Sequence, residues 1–157
     1  MDKTLVMKIL DQKKIKYIPH HYVSVKLDAV TCAKEIGKDV NQVFKTLVTK
    51  GLKNYYCFMI PSINELDLKK VAKLVNEKKI EMIPQKDLED LTGYVHGGCS
   101  PIGMKKHFPT YINSSCLNYD TICYSAGKVG YQVETSPFDL MKLMNIKSAD
   151  LIKEEGN

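Results

Sequence analysis

Arginine is absent from this sequence: all 23 basic side chains are lysines. Lysine is a point charge that suits phosphate, without the planar fork that grips a base or a carboxylate at two points. Sequence-specific major-groove reading by arginine is thereby excluded, and no DNA partner is expected. The five cysteines are an odd number and include no Cys-x-x-Cys pair. That argues against a disulfide framework and predicts reduced thiols. The four histidines form no His-Glu-x-x-His or zinc-type spacing, so no metal is expected. No run of about 18 apolar residues is present to make a transmembrane helix. The opening Met1-Asp2-Lys3-Thr4 lacks a signal-peptide pattern, so a cytoplasmic protein without a membrane partner is the default expectation. Internal repeats, low-complexity tracts and a dinucleotide fingerprint are also missing.

What remains is an ordinary globular composition. The 157 residues, 44% hydrophobic and 26% charged, fit one domain spanning residues 1–157. A chain of this size buries about two thirds of its unfolded surface, enough for a core without staples. The net charge of +5 permits a nucleic-acid partner through phosphate contacts, although lysine-rich solvated helices have the same composition. Periodicity predicts helices over residues 4–14, 28–36 (capped by Asp28, stopped by Gly37), 67–75 (capped by Asp67) and 84–91, and from Ser136-Pro137 through Met144. Strands are predicted over residues 16–23, 44–49, 55–60, 80–83, 110–112, 121–124 and 129–134, with a hairpin at 50–54 and a turn at 125–128. Pro19 suggests an edge position for the first strand. Helices and hairpins are interspersed irregularly. The expected class is therefore α/β of the α+β type, a mixed sheet with packed helices in place of a doubly wound parallel fold.

Two features carry chemistry. Residues 93–103 (Gly-Tyr-Val-His-Gly-Gly-Cys-Ser-Pro-Ile-Gly) hold four glycines, a serine and a proline between regular segments. Such a loop either makes a tight surface connection or bares N–H groups to a phosphate, a carboxylate or a developing oxyanion. A nucleotide-binding P-loop is ruled out, because Met104-Lys105 follows the second glycine where Lys and Ser or Thr are required, and the preceding segment reads as a helix. The second feature is Lys45 at the head of the apolar run Phe44-Lys45-Thr46-Leu47-Val48. A lysine there either snorkels to the surface or reaches into a site, and the residues alone favour the surface. His96 three residues before Cys99 invites a cysteine nucleophile, but no third group to orient the histidine can be named.

Phe44-Lys45-Thr46-Leu47, Leu66-Asp67-Leu68-Lys69-Lys70-Val71-Ala72-Lys73, Gly93-Tyr94 and Gly97-Gly98-x-Ser100-Pro101-x-Gly103 occur together in this order. In this combination the chain resembles the YbaK/EbsC family over nearly its whole length. These are bacterial Cys-tRNA(Pro) deacylases related to the editing domain inserted in some prolyl-tRNA synthetases. The resemblance implies a mixed, partly barrel-like sheet and hydrolysis of the ester that joins a wrong amino acid to tRNA(Pro). It implies that Lys45 is the essential lysine, with Thr46, Tyr22, Gly97, Gly98, Ser100, Pro101 and Gly103 around the substrate. The implied partners are the acceptor end of mischarged tRNA(Pro) and prolyl-tRNA synthetase, and no metal or organic cofactor is implied. In the implied mechanism the thiol of the bound cysteine attacks its own ester while the protein orients it. Two positions depart from the pattern. Leu27 or Asp28 stands where the family has a pocket aromatic, and Gln132 replaces an acidic residue of the late hairpin. Two other readings are a deacylase for Ala-tRNA(Pro) or another small aminoacyl-tRNA, and a non-catalytic module that binds tRNA or a synthetase.

Overall fold

The computed structural model describes residues 2–23 and 28–154. Most helices begin where a short polar side chain accepts the N–H three residues ahead, one of the donors a helix start leaves unpaired. Thr4 does this for α1 (Leu5–Gln12), Asp28 for α2 (Ala29–Ile36) and Asp67 for α3 (Leu68–Leu74). The fourth helix, α4 (Leu88–Thr92), grows out of a 3-10 turn, Gln85–Asp87, without such a cap. Ser136 caps α5 (Pro137–Met144), whose first residue is the predicted proline.

The strands form two sheets. One has three antiparallel strands in the order β1 (Ile18–His21), β7 (Tyr131–Thr135), β6 (Ile122–Lys128). The other has five, in the order β4 (Glu81–Met82), β2 (Phe44–Lys50), β3 (Tyr55–Pro61), β5 (Thr110–Asn113), β8 (Lys147–Ala149). Its β2–β3 and β2–β4 pairs are antiparallel, while β3–β5 and β5–β8 are parallel, so the expected mixed sheet is present. A parallel bridge between Val43 and Cys123 joins the two sheets just before β2 begins. β3 is covered on both faces. Tyr56, Phe58 and Ile60 pack with Val71 and Ala72 of α3, while Met59 joins Val6, Met7 and Leu10 of α1 in the largest cluster. Cys57 is fully buried, as its apolar neighbours suggested.

Four expectations change. The turn predicted at 125–128 is the end of β6. Gly127 (φ 92°) is a bulge residue whose N–H donates to Ser125 Oγ at 3.0 Å, and the chain reverses at Val129-Gly130. A glycine inside a strand marks a bulge as readily as a turn. The predicted 84–91 helix divides into the 3-10 turn and α4. The first strand is shorter than 16–23, although Pro19 does sit on an edge strand. Finally, β8 is a short polar edge strand with no period to reveal it.

One buried carboxylate fastens the small sheet to its surroundings. Glu134 on β7 has a side chain only 3% exposed. Its Oε1 lies 2.8 Å from His20 Nε2, its Oε2 lies 2.9 Å from Lys38 Nζ, and the Thr121 hydroxyl donates to Oε2 at 2.5 Å. Burial by itself would raise its pKa. The hydrogen bonds from Thr121, His20 and Lys38 outweigh burial and hold the pKa at about 2, below the ordinary 4.5. This contribution is fully present above pH 4.5 and is lost as the pH falls toward 2, a difference of about 3 kcal/mol. Chemical unfolding between pH 6 and pH 2.5 should therefore show a larger stability loss in the wild type than in Glu134→Gln. Parallel pH dependences in the two proteins would contradict it.

Candidate functional site

At least five parts of the chain converge on a cavity of about 390 Å³. The start of β2 supplies Phe44, Lys45, Thr46 and Leu47. The first turns of α2 supply Ala29 and Cys32, with the capping Asp28. Ser125 and Gln132 come from the β6–β7 hairpin, and His96, Gly97 and Cys99 come from the glycine-rich loop. Tyr22, just past β1, completes the wall. Lys45, Thr46, Tyr22, Gly97 and Gln132, distant in sequence, thus share one cavity.

The other four loop residues expected at the site, Gly98, Ser100, Pro101 and Gly103, do not line the cavity. The Gly98 N–H donates to the Val95 carbonyl at 3.0 Å, and a Cβ at Gly98 would stand 3.2 Å from the Val129 nitrogen. Glycine at this position lets the loop pack closely against the hairpin end. Ser100 is fully buried and accepts the Ile102 N–H at 3.3 Å; Pro101 is buried beside it. Gly103 (φ 82°) lies under Tyr94, whose hydroxyl donates to the Ile102 carbonyl at 2.5 Å and would be 2.7 Å from a Cβ at Gly103. These residues shape the loop, and the Gly98 and Ile102 amides are committed within it.

Lys45 is half-buried and has no ion-pair partner among the described residues. Burial lowers its pKa below the ordinary lysine value, with the charge of Glu65 opposing; the Glu65 carboxylate itself pairs with Lys153 at 3.1 Å. Two oxygens on the cavity-lining side chains are buried without a hydrogen-bond partner: Thr46 Oγ1 and Gln132 Oε1. Each such group costs about 1–3 kcal/mol, and native proteins keep few of them without a reason. The thiols offer no nucleophile. Burial pushes Cys99 up to about 12 and raises Cys32. His96 is exposed and makes no hydrogen bond to Cys99, so the Cys–His pairing that the spacing invites is not formed.

Sequence reasoning missed Cys32, Ser125 and Ser62 as cavity residues. Cys32 and Ser62 had no motif around them, and Ser125 was assigned to a turn. Of the two residues standing in place of a pocket aromatic, Asp28 lines the cavity, whereas Leu27 lies outside the described residues. Among the described residues, His20, Cys123 and Glu134 have metal-ligating spacing, but they do not line this cavity. Lys38 Nζ pairs with Glu134 Oε2 there at 2.9 Å. No helix among the described residues is long and apolar enough to cross a membrane.

Comparison with known proteins matches the model of the aminoacyl-tRNA editing domain over residues 25–143. The chain is 43% identical over 156 residues to a protein of Enterococcus faecalis named as a candidate Cys-tRNA(Pro)/Cys-tRNA(Cys) deacylase, EbsC, covering 98% of this chain and 95% of that one. It is 26% identical over 97 residues to a proline–tRNA ligase of Fervidobacterium nodosum, covering 62% of this chain and 17% of the ligase. Among solved structures, it superimposes with a TM-score of 0.85 on a candidate trans-editing enzyme for prolyl-tRNA synthetase, at 26% identity and 95% coverage of both chains.

A half-buried ammonium without a counter-ion weakens the fold that holds it. Replacing it with an apolar side chain of similar length should relieve about 1 kcal/mol and raise Tm by roughly 3 °C. Calorimetry of Lys45→Met tests this; a clear fall in Tm would mean that Lys45 supports the fold.

Proposed function

The chain belongs to the aminoacyl-tRNA editing domain family, and on that premise we propose that it hydrolyses, in trans, the ester joining cysteine to mischarged tRNA(Pro). The observation that carries this reading is the pairing of a half-buried cation with two unpartnered oxygens around one cavity. An aminoacyl ester has complementary groups. Its α-ammonium donates hydrogen bonds, which suits Gln132 Oε1 and Thr46 Oγ1. Its carbonyl and the adjoining ribose-phosphate carry negative charge, which suits Lys45.

The chemistry asks little of the protein. The ester is already activated, and the wall thiols are held protonated at neutral pH. In the proposed route the substrate thiol sulfur attacks its own carbonyl carbon. The ester C–O bond breaks, and the tRNA 3′-oxygen leaves with the thiol proton. Water then opens the resulting thiolactone to free cysteine. Orientation of two groups already on one substrate can supply much of the rate. Lys45 and the Gly97 N–H are assigned to the carbonyl oxygen as it becomes negative, a contact typically worth about 3 kcal/mol. The tRNA acceptor end is the proposed partner, and prolyl-tRNA synthetase is the proposed source of mischarged tRNA.

An amide at position 132 in place of an acid bears on the amino acid preferred, so Ala-tRNA(Pro) and Cys-tRNA(Cys) belong in the same assay. Wild type should release cysteine from Cys-tRNA(Pro), and Lys45→Ala should be slower by 100-fold or more while remaining folded. Cys99→Ala should stay within threefold of wild type. A folded, fully active Lys45→Ala would overturn the role given to Lys45. Binding of tRNA without release of any amino acid would favour a non-catalytic module.

A further inference from the structure

Glu134 lies outside the cavity, yet it holds the ends of the segments that form it. Residues 38–42 connect α2, which supplies one cavity wall, to β2, which supplies Lys45. At the first end of this connection Lys38 Nζ binds Glu134 Oε2 at 2.9 Å. At the other end Gln42 Nε2 donates to the Thr121 carbonyl at 2.7 Å and to its hydroxyl oxygen at 3.1 Å. That same hydroxyl donates to Glu134 Oε2 at 2.5 Å. His20, two residues before Tyr22 of the cavity wall, binds the second oxygen of Glu134 at 2.8 Å. Gln132 of the wall lies two residues along β7 from Glu134.

We propose that Glu134 is a positioning residue for the deacylation proposed above, fixing where Lys45 stands relative to the α2 wall and Tyr22. The inference rests on that reading of the cavity. One carboxylate takes donors from three separate segments. Without it, the α2–β2 connection loses its direct anchor at Lys38 and the second link of its anchor at Gln42. A misplacement of about 1 Å at a reacting centre can cost on the order of 100-fold in rate. The carboxylate stands as an anion between donors, with Lys38 Nζ at Oε2 and His20 Nε2 at Oε1.

The test compares wild type, Glu134→Gln, Thr121→Val, Lys38→Met and Glu134→Asp on Cys-tRNA(Pro), each far below its own Tm. In Glu134→Gln an amide N–H₂ is turned against one of three donors. Its kcat should fall at least tenfold with KM changed less than threefold. Thr121→Val and Lys38→Met should fall less, and Glu134→Asp should recover part of the loss. Residues acting as one unit are non-additive, so Lys38→Met/Glu134→Gln should be no slower than Glu134→Gln. A folded Glu134→Gln with wild-type kcat and a lowered Tm would overturn the proposal. So would stoichiometric zinc in the purified protein whose removal abolishes activity.

If wild type deacylates nothing, the functional reading fails, and positioning is then judged without substrate. NMR titration of the Lys45 side chain should show its pKa rising toward the ordinary lysine value in Glu134→Gln, as looser packing admits water. Glu65 is the charge that acts on Lys45, so loss of the Glu134 charge alone would leave the value unchanged, and an unchanged or lowered value overturns the proposal.

Discussion

Burial works against the Lys45 ammonium, and no carboxylate of the described residues stands within ion-pair distance to offset it. Any protein can relieve such a cost by letting the side chain swing to solvent. Here Lys45 stays half-buried on the cavity wall. Lys45 lies opposite Ile60 on β3, between Phe44, 2% exposed, and Thr46, 9% exposed. With Thr46 Oγ1 and Gln132 Oε1 also unpartnered, the cavity concentrates polar groups that the fold leaves unsatisfied. Cost of this kind gathers where a ligand relieves it.

The rest of the architecture keeps these groups together. The two sheets meet at the Val43–Cys123 bridge, one residue before β2 begins, so β2 and the β6–β7 hairpin face each other at their junction. The glycine-rich loop closes the third side because Gly98 lets it pack on the backbone at Val129. α2 closes the fourth, held by the Glu134 cluster. Each contact is ordinary by itself. Their convergence puts one cation, two unpartnered oxygens and one loop glycine around a cavity of about 390 Å³.

Much of this was legible in the sequence, for identifiable reasons. Helix starts were marked by Thr4, Asp28, Asp67 and Ser136, whose side chains have one strongly preferred job at those positions. The β2–β3 hairpin was marked by two apolar runs around a polar turn. Lys45 was harder: periodicity favoured a snorkelling lysine, and only its company in the family motifs pointed inward. The glycine-rich loop stands out in the sequence, and in the structure its glycines divide. Gly97 faces the cavity, while Gly98 and Gly103 serve close packing that no local pattern displays. Gly127 was misassigned because a bulge and a turn both call for glycine. Cys32, Ser62 and Ser125 were invisible because cavity walls are made by tertiary contact. The Glu134 cluster joins residues 20, 38, 121 and 134, too far apart for any spacing rule.

The most direct measurement of the central claim is a crystal structure with a hydrolysis-resistant analogue, adenosine carrying cysteine through a 3′-amide. The α-ammonium should lie within hydrogen-bond distance of Thr46 Oγ1 and Gln132 Oε1, with the carbonyl oxygen facing Lys45 Nζ and the Gly97 N–H. An analogue seated elsewhere, with those two oxygens still unpartnered and Lys45 untouched, would contradict the account.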